Sequence, residues 1–171
     1  FDIFKERKFI PSTLPIDSKG YIYYPVHRDE YLINKYDIEG NLVLTFGRKY
    51  EQKEYSDEIV KWNKEVYKEQ ADIILKKYPP VIRDIIFDDR DFVWITVGES
   101  YDDNYRRFPV TSTIDIFNTD GEFLYSFESE LISSRALIRN NRLYSQPMVL
   151  DDIGEMMIGV YEVRYNFDTV H

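Results

Sequence analysis

The stretch "KYDIEGNLVLTFG" (residues 35–47) decides the fold, because it has the pattern of one β-strand, a tight turn and the next strand. The stretch "IFNTDGEFLYSF" (116–127) repeats this pattern at an offset of 81 residues. The matched pairs are Tyr36 with Phe117, Gly40 with Gly121, and Phe46 with Phe127. Hairpin turns of this kind favour a glycine at positive φ, so we expect positive φ at both glycines. The sequence therefore predicts one type of hairpin, used twice.

Further hairpins precede each of these two and follow the second. In "LPIDSKGYIYYPV" apolar residues alternate on both sides of a turn at 17–20, and "IIFDDRDFVWITV" has the same arrangement around 88–91. A third copy, "ALIRNNRLYSQ", turns at Asn140–Asn141. Gly, Asp and Asn tolerate the left-handed backbone of such turns. Each unit is thus a series of four strands, A to D, with short A–B and C–D turns, and the third unit stops after its strand C.

A four-stranded antiparallel unit that recurs every ~40–50 residues is typical of a β-propeller blade. We therefore predict an all-β fold, a β-propeller of four-stranded antiparallel blades with about three blades present. The predicted units are a blade at 9–47, a blade at 81–127 and an incomplete blade at 131–168. The alternative is a β-sandwich or small barrel in which two hairpins are similar by accident.

Residues 50–78 break the β-pattern and predict one inserted α-helix. The segment has no Gly or Pro before Pro79–Pro80, and its apolar residues recur at helical spacing. This stripe includes Ile59 and Trp62, which we expect to be buried. The helix is interpreted as a lid on the propeller surface, with a partner-binding helix as the alternative.

Composition excludes several classes of function. The net charge of -9 argues against a nucleic-acid partner, which would require a basic surface. The absence of Cys excludes disulfides, thiolate metal sites and a Cys nucleophile. No apolar run approaches the roughly 18 residues that would span a membrane, so no transmembrane segment is predicted. No signal peptide is visible, but the first residue is Phe rather than Met, and we expect the chain to be part of a longer gene product.

The order of these motifs resembles the six-bladed β-propeller proteins with NHL-like repeats, which are common as secreted or lipid-anchored proteins of Bacteroidetes-type bacteria. The residues that carry the resemblance are "FIPSTLPIDSKGYIYYP", "LINKYDIEGNLVLTFGR", the helix, "YPPVIRDIIFDDRDFVWITV", "IDIFNTDGEFLYSF" and "ALIRNNRLYS". The resemblance implies an extracytoplasmic location, in the periplasm or at the cell surface, with a lipid anchor in some members. Six blades need roughly 270 residues, so the chain would form about half of the ring. We expect the remaining blades to come from the same polypeptide or from a second chain.

Strand order predicts one face on which long connections gather. In each unit the A–B and C–D turns share one end, so the longer segments 26–30, 50–78, 98–110 and 146–157 lie at the other end. The loop 98–110 combines Tyr and Arg, which commonly anchor interfaces, and is interpreted as a recognition loop. The alternative is a solvated loop that covers the helix. The innermost strands are predicted to place three residue pairs at matching positions near the ring axis: Ser12–Thr13, Arg83–Asp84 and Ser134–Arg135. Such a ring of residues can close a channel or hold a small anion. Alternatively, Arg83–Asp84 is a structural ion pair. The candidate binding residues are Tyr101, Tyr105, Arg106, Arg107, Arg83, Asp84, Arg135 and His27.

The predicted function is a non-catalytic binding or scaffold propeller that presents this face to a protein, peptide or glycan. The alternative is a metal-dependent hydrolase or lyase with a divalent ion on the propeller axis, which requires converging His, Glu or Asp side chains. The chain contains only His27 and His171, and it has no Ser-His-Asp order and no H-E-x-x-H spacing. Residues 102–104 (Asp-Asp-Asn) lack the EF-hand spacing. We therefore predict no catalytic residue, no metal ligand and no cofactor.

Overall fold

The computed structural model describes residues 15–27, 29–52, 54, 57, 60–61, 64–65, 68, 80–97, 112–129, 131–132, 136–145 and 158–165. These residues form three antiparallel sheets. Sheet 1 consists of β1 (Ile22–Pro25), β2 (Leu32–Tyr36) and β3 (Leu42–Gly47). Sheet 2 consists of β4 (Ile82–Phe87), β5 (Val93–Val97), β6 (Ser112–Phe117) and β7 (Phe123–Ser129). Sheet 3 consists of β8 (Leu137–Arg139), β9 (Arg142–Ser145) and β10 (Gly159–Glu162).

Consecutive strands are neighbours in every sheet, which confirms the all-β class and the predicted order of hairpins. Sheet 2 has all four strands of the predicted unit. In sheet 1 a single antiparallel bridge between Ile16 and Ile22 marks the position expected for strand A. In sheet 3 the described strands are β8, β9 and β10, which occupy the positions of strands A to C.

The predicted helix at 50–78 is described at a few positions only. Asp57, Val60, Lys61, Lys64 and Glu65 have helical conformation. The expected burial of residues 59 and 62 falls outside the described residues and stays a prediction. No helix in the described part of the chain is both long enough and apolar enough to cross a membrane.

The A–B turn of sheet 1 is organised by the carboxylate of Asp17. Its Oδ1 accepts hydrogen bonds from the backbone N–H groups of Lys19 and Tyr21, at 3.0 and 2.9 Å. Its Oδ2 accepts a bond of 3.0 Å from the hydroxyl of Tyr23, which is fully buried in β1. An aspartate side chain that bonds to the backbone two and four residues on stabilises a tight turn.

The A–B turn of sheet 2 repeats this arrangement around Asp88. The backbone N–H groups of Arg90 and Phe92 donate to Asp88 Oδ1, each at 2.9 Å, and Trp94 Nε1 donates to Oδ2 at 3.0 Å. The spacings of two, four and six residues are the same as in sheet 1. The repeat therefore extends from the backbone pattern to side-chain bonds.

Sheet 2 lies between the other two sheets, because side chains of β5 alternate between two separate cores. Val93, Ile95 and Val97 pack towards sheet 1, whereas Trp94 packs towards sheet 3, and all of β5 is buried. The first core also contains Tyr23, Tyr31, Ile33 and Phe46 from sheet 1 and its flanks. The second core also contains Ile138 and Leu143 from sheet 3 together with Ile132 and Ala136.

The A–B turns of the three sheets contact one another in chain order. Ser18 in the first turn donates from its backbone N–H and its hydroxyl to the two carboxylate oxygens of Asp91 in the second, at 3.0 and 2.6 Å. Asp89 of the second turn accepts a 2.8 Å bond from the backbone N–H of Asn140 in the third. The A–B turns of the three sheets are therefore connected at one side of the molecule.

The prediction for the C–D turns is confirmed, since Gly40 has a φ of 86° and Gly121 has a φ of 81°. Gly121 has a second constraint besides its backbone angle. A Cβ at this position would lie 2.6 Å from the Cβ of Phe46 in sheet 1. The turn of sheet 2 thus lies too close to Phe46 of sheet 1 for residue 121 to carry a side chain without displacing Phe46.

We expect the substitution Gly121→Ala to lower the free energy of unfolding by about 2–3 kcal/mol, from left-handed strain plus displacement of Phe46. Gly20→Ala is the matched control. Gly20 also has positive φ, 87°, but its nearest contact would be Ile38 at an ordinary 3.4 Å, so this variant should lose only about 1 kcal/mol. Urea unfolding of both variants measures the difference. Equal losses of unfolding free energy in the two variants would show that the contact with Phe46 does not contribute to the effect of Gly121→Ala.

Candidate functional site

Most of the residues predicted to bind a partner fall outside the described part of the chain. They are Tyr101, Tyr105, Arg106, Arg107 and Arg135, and their role stays a prediction. His27 is described and exposed in the connection between β1 and β2. Arg83 and Asp84 lie on β4, the first strand of sheet 2. The predicted residues whose positions are known are therefore divided between an exposed connection of sheet 1 and the first strand of sheet 2.

Asp84 is buried and only partly satisfied by hydrogen bonds. Its Oδ1 accepts a bond of 3.0 Å from the backbone N–H of Ile85, and no hydrogen-bond partner reaches Oδ2 from the described residues, Arg83 included. Asp84 stands opposite Thr96 in the β4–β5 pairing, on the side that Trp94 turns towards sheet 3. Burial raises the pKa of its carboxyl to about 6, because the charged form loses water without gaining a full set of donors.

The raised pKa of Asp84 predicts a specific dependence of stability on pH. A carboxyl whose pKa is 3.8 unfolded and about 6 folded binds its proton more tightly in the folded state. Its contribution is therefore complete below about pH 4 and is lost as the pH rises through 6. The free energy of unfolding of Asp84→Asn, relative to that of wild type, should therefore increase by about 2–3 kcal/mol from pH 4 to pH 7, at 1.36 kcal/mol per pKa unit. Urea unfolding at both pH values tests this, and a constant difference between the two proteins would contradict it.

A buried charged cluster joins sheet 1 to sheet 2. Asp115, in the middle of β6, is fully buried and accepts hydrogen bonds from the hydroxyl of Tyr31 at 2.6 Å and from Arg48 Nε and Nη2 at 2.6 and 3.1 Å. Burial and the neighbouring carboxylate of Asp115 raise the pKa of the Tyr31 hydroxyl. Every charged group of this cluster is directed at another member. We therefore interpret the cluster as structural rather than as a binding site.

An open cleft separates the outer strands of sheets 2 and 3. Its volume is about 570 Å³, and both sheets contribute aromatic side chains to its walls. We call it the aromatic cleft and define it by Trp94, Tyr125 and Phe127 of sheet 2 and Tyr161 and Tyr165 at the edge of sheet 3. Tyr125 and Tyr161 are 49% and 36% exposed, so both present ring surface to solvent.

The rim of the aromatic cleft carries one exposed ion pair. Arg164 Nη2 donates to Glu162 Oε2 at 2.7 Å, and both side chains are largely exposed. The hydrogen bond and charge of Arg164 lower the pKa of the Glu162 carboxyl. A carboxylate held ionised in this way accepts hydrogen bonds but is a weak general base, which works best with a pKa near the ambient pH.

The corresponding place between sheets 1 and 2 is closed. Phe46, the counterpart of Phe127 in the repeat, is 7% exposed and packs against Phe117 with ring centroids 5.3 Å apart. Phe123, at the start of strand β7, also packs against Phe117, with centroids 5.5 Å apart. In sheet 3 no described strand follows β10, so the ring of Tyr165, which corresponds to Phe117, borders an open cleft.

The sequence indicated the unpaired strand at the border of this cleft, but not the cleft itself. A third unit without strand D predicts an unpaired strand, but the depth of the cleft depends on how sheets 2 and 3 stack.

Comparison of the chain with protein-family models, with curated proteins and with solved structures finds no match.

Proposed function

We propose that this chain supplies three blades of a β-propeller and acts as a non-catalytic binding module for a protein, peptide or glycan. The propeller is supported by three antiparallel meanders that pack face to face in chain order. Contacts between successive A–B turns also support it, because they hold the first strands of the sheets side by side. Such an arrangement is what blades around a common axis require.

The aromatic cleft is the observation that carries the binding proposal. Tyr and Trp are enriched at binding surfaces because they bring a large apolar area and a polar tip at low cost in conformational entropy. Of the cleft residues, Tyr125 and Tyr161 leave the most ring area in contact with water. A cavity of about 570 Å³ is also within the ordinary range for binding pockets.

Two features favour binding over catalysis at this cleft. The acidic side chain at its rim, Glu162, is paired with Arg164 and held ionised. Elsewhere in the described part of the chain, the buried carboxylates of Asp17, Asp88 and Asp115 accept hydrogen bonds from turns and from neighbouring strands. The fourth buried carboxylate, Asp84, has a raised pKa but does not line the cleft. Among the described residues that line the cleft, Glu162 is therefore the one carboxylate, and it is paired with a cation rather than with a second acid or base.

A binding screen against peptides and glycans tests this function. We expect the wild-type protein to retain a subset of ligands and the double variant Tyr125→Ala/Tyr161→Ala to lose them at least about tenfold in affinity, the range for losing interface anchors. The control is Leu42→Ala/Val43→Ala, which removes exposed apolar side chains from sheet 1 and should bind as wild type does. Equal binding by the two double variants would exclude the aromatic cleft as the binding site.

A further inference from the structure

We infer that the aromatic cleft binds an extended polypeptide strand of a partner protein, which pairs antiparallel to β10 and becomes the fourth strand of sheet 3. This inference rests on the proposed function and specifies the class of partner. Addition of a strand to a free sheet edge combines main-chain hydrogen bonds with pockets for alternate side chains. The structure provides both at the same place.

The hydrogen-bonding pattern of sheet 3 shows which groups of β10 point away from β9. The backbone N–H of Val163 donates to the carbonyl oxygen of Asn141 at 2.8 Å, on the β9 side. Because bonding directions alternate along an antiparallel strand, Tyr161 also faces β9. Val160, Glu162 and Arg164 therefore direct their N–H and C=O groups to the opposite edge. No described strand pairs with that edge.

The aromatic cleft lies directly beside this edge. Tyr125 and Phe127 of β7 form one wall, and Tyr161 and Tyr165 of sheet 3 form the other. In sheet 2 the fourth strand, β7, pairs with β6 along its whole length. A strand in the same position next to β10 would extend sheet 3 over the exposed ring of Tyr125. The free edge and the cleft are thus two parts of one binding site.

The filled interface between sheets 1 and 2 indicates the chemistry of the strand. The face of β7 towards sheet 1 carries Phe123 at its start and the small or polar residues Ser126 and Glu128 after it, as the pairing with β6 shows. Phe123 packs on Phe117, whose counterpart at the cleft is Tyr165. We therefore expect a strand with one aromatic side chain near its start, facing the cleft, and polar residues at the later cleft-facing positions.

A second copy of this chain does not fit the site through its own β10. If two copies joined β10 to β10, each β7 would lie under the position of the other copy's β10. That position is already occupied by the second copy's sheet 2, which lies across the cleft from its own β10. The partner strand must therefore come from a segment that has no sheet stacked beneath it, such as an extended peptide.

The probe for the experiment is a fluorescein-labelled peptide with the sequence of residues 122–130, EFLYSFESE, measured by fluorescence polarisation. Glu162→Pro removes an N–H from the free edge and leaves the bonds to β9 intact. We expect it to weaken binding at least about tenfold, the effect of losing an edge donor and adding a clash. The control Leu42→Ala/Val43→Ala changes exposed side chains of sheet 1, away from this edge, and should bind within about twofold of wild type. A peptide with proline at its centre should not bind.

Amide hydrogen exchange gives a readout that is specific for strand pairing. On adding the peptide, the amides of Val160, Glu162 and Arg164 should become protected, whereas those of Tyr161 and Val163 should change little because they already bond to β9. This alternation is not expected if the peptide only covers the aromatic rings. It also decides the question in wild-type protein if the proline variant does not fold.

Three outcomes would overturn the inference. Equal binding by Glu162→Pro and wild type would show that the edge is not used, and equal binding of the proline-containing peptide would show apolar adsorption only. Protection of the amides of Val160, Glu162 and Arg164 before the peptide is added would show that the protein's own polypeptide occupies the edge. Ligand binding that depends on Tyr125 and Tyr161 without alternating protection would retain the proposed function and reject strand addition.

Discussion

Replacement of Arg48 by Met is expected to lower the free energy of unfolding by about 3–5 kcal/mol, the usual effect of leaving one partner of a buried ion pair alone. Arg48 is 31% exposed, but the carboxylate that it neutralises, Asp115, is fully buried. Methionine keeps most of the apolar stem and removes the guanidinium. Asp115 then keeps the Tyr31 hydroxyl as a donor and loses both bonds from the arginine.

A second substitution separates the buried charge from the lost packing. In the double variant Arg48→Met/Asp115→Asn no charge remains in the cluster, and the asparagine oxygen still accepts a hydrogen bond from Tyr31. We therefore expect the double variant to recover more than half of the loss, since a neutral buried amide costs far less than an unpaired carboxylate. Urea unfolding followed by tryptophan fluorescence measures all the variants.

The exposed pair Glu162–Arg164 is the matched control. Its shortest distance is 2.7 Å, close to the 2.6 Å between Arg48 and Asp115, but its side chains are 64% and 75% exposed. Arg164→Met should therefore change the stability by about 0–1 kcal/mol, the range for surface pairs. If Arg48→Met lost no more than Arg164→Met, the burial of Asp115 would not determine the strength of its ion pair.

The hairpins could be predicted from the sequence because the chemistry of a turn is local. Gly40 and Gly121 predicted positive φ in their turns. Asp17 and Asp88 begin turns in which the backbone N–H groups two and four residues further on donate to the aspartate side chain. Hairpin order then followed from the alternation of apolar residues on either side. The described strands follow the predicted order in each sheet, and in sheet 1 a single bridge at Ile16 marks the position of strand A.

The long-range roles of the acidic residues could not be predicted in this way. Asp115 stands in the run "STIDIF" without a charged neighbour, and its partners Tyr31 and Arg48 are 84 and 67 residues away. Nothing in the sequence indicates which strand of sheet 1 faces which strand of sheet 2. Such pairs appear only once the stacking of the sheets is known.

None of the residues that define the aromatic cleft was among the predicted binding residues. The missing strand D of the third unit indicated a free edge, and β10 has one among the described residues. Sequence reasoning placed the binding residues in loops and on inner strands, because Tyr and Arg clusters are visible there. The cleft aromatics, such as Tyr125 and Tyr161, alternate with other residues inside strands, where an aromatic is more commonly a core residue. Their exposure follows from the neighbouring strand that sheet 3 lacks.

Asp88→Ala is expected to lower the free energy of unfolding by about 4 kcal/mol, because a buried acceptor of several hydrogen bonds is removed and its donors are left unpaired. Two donors are backbone N–H groups of its own turn, and the third is Trp94 Nε1. The fourth is the hydroxyl of Tyr165, at the edge of sheet 3. Burial and the bond to Asp88 raise the pKa of that hydroxyl, so it remains a donor at neutral pH.

The matched control is Asp17→Ala in sheet 1. Asp17 accepts the three equivalent bonds of its own turn, from Lys19, Tyr21 and Tyr23, and no bond from another sheet is described for it. We expect Asp17→Ala to lose about 3 kcal/mol, and the difference from Asp88→Ala of about 1 kcal/mol then measures the bond between sheets 2 and 3.

The variant Tyr165→Phe tests this assignment independently, because it removes only the hydroxyl. It should lose about 1 kcal/mol in the wild-type background and almost nothing in the Asp88→Ala background, since two groups in direct contact are not additive. Additive losses would show that the Tyr165 hydroxyl acts independently of Asp88. No loss in either background would show that Tyr165 stabilises sheet 3 through its ring alone, against Trp94 and Phe92. A non-additive result would establish that the turn of one sheet holds the edge of the next, and with it the wall of the aromatic cleft.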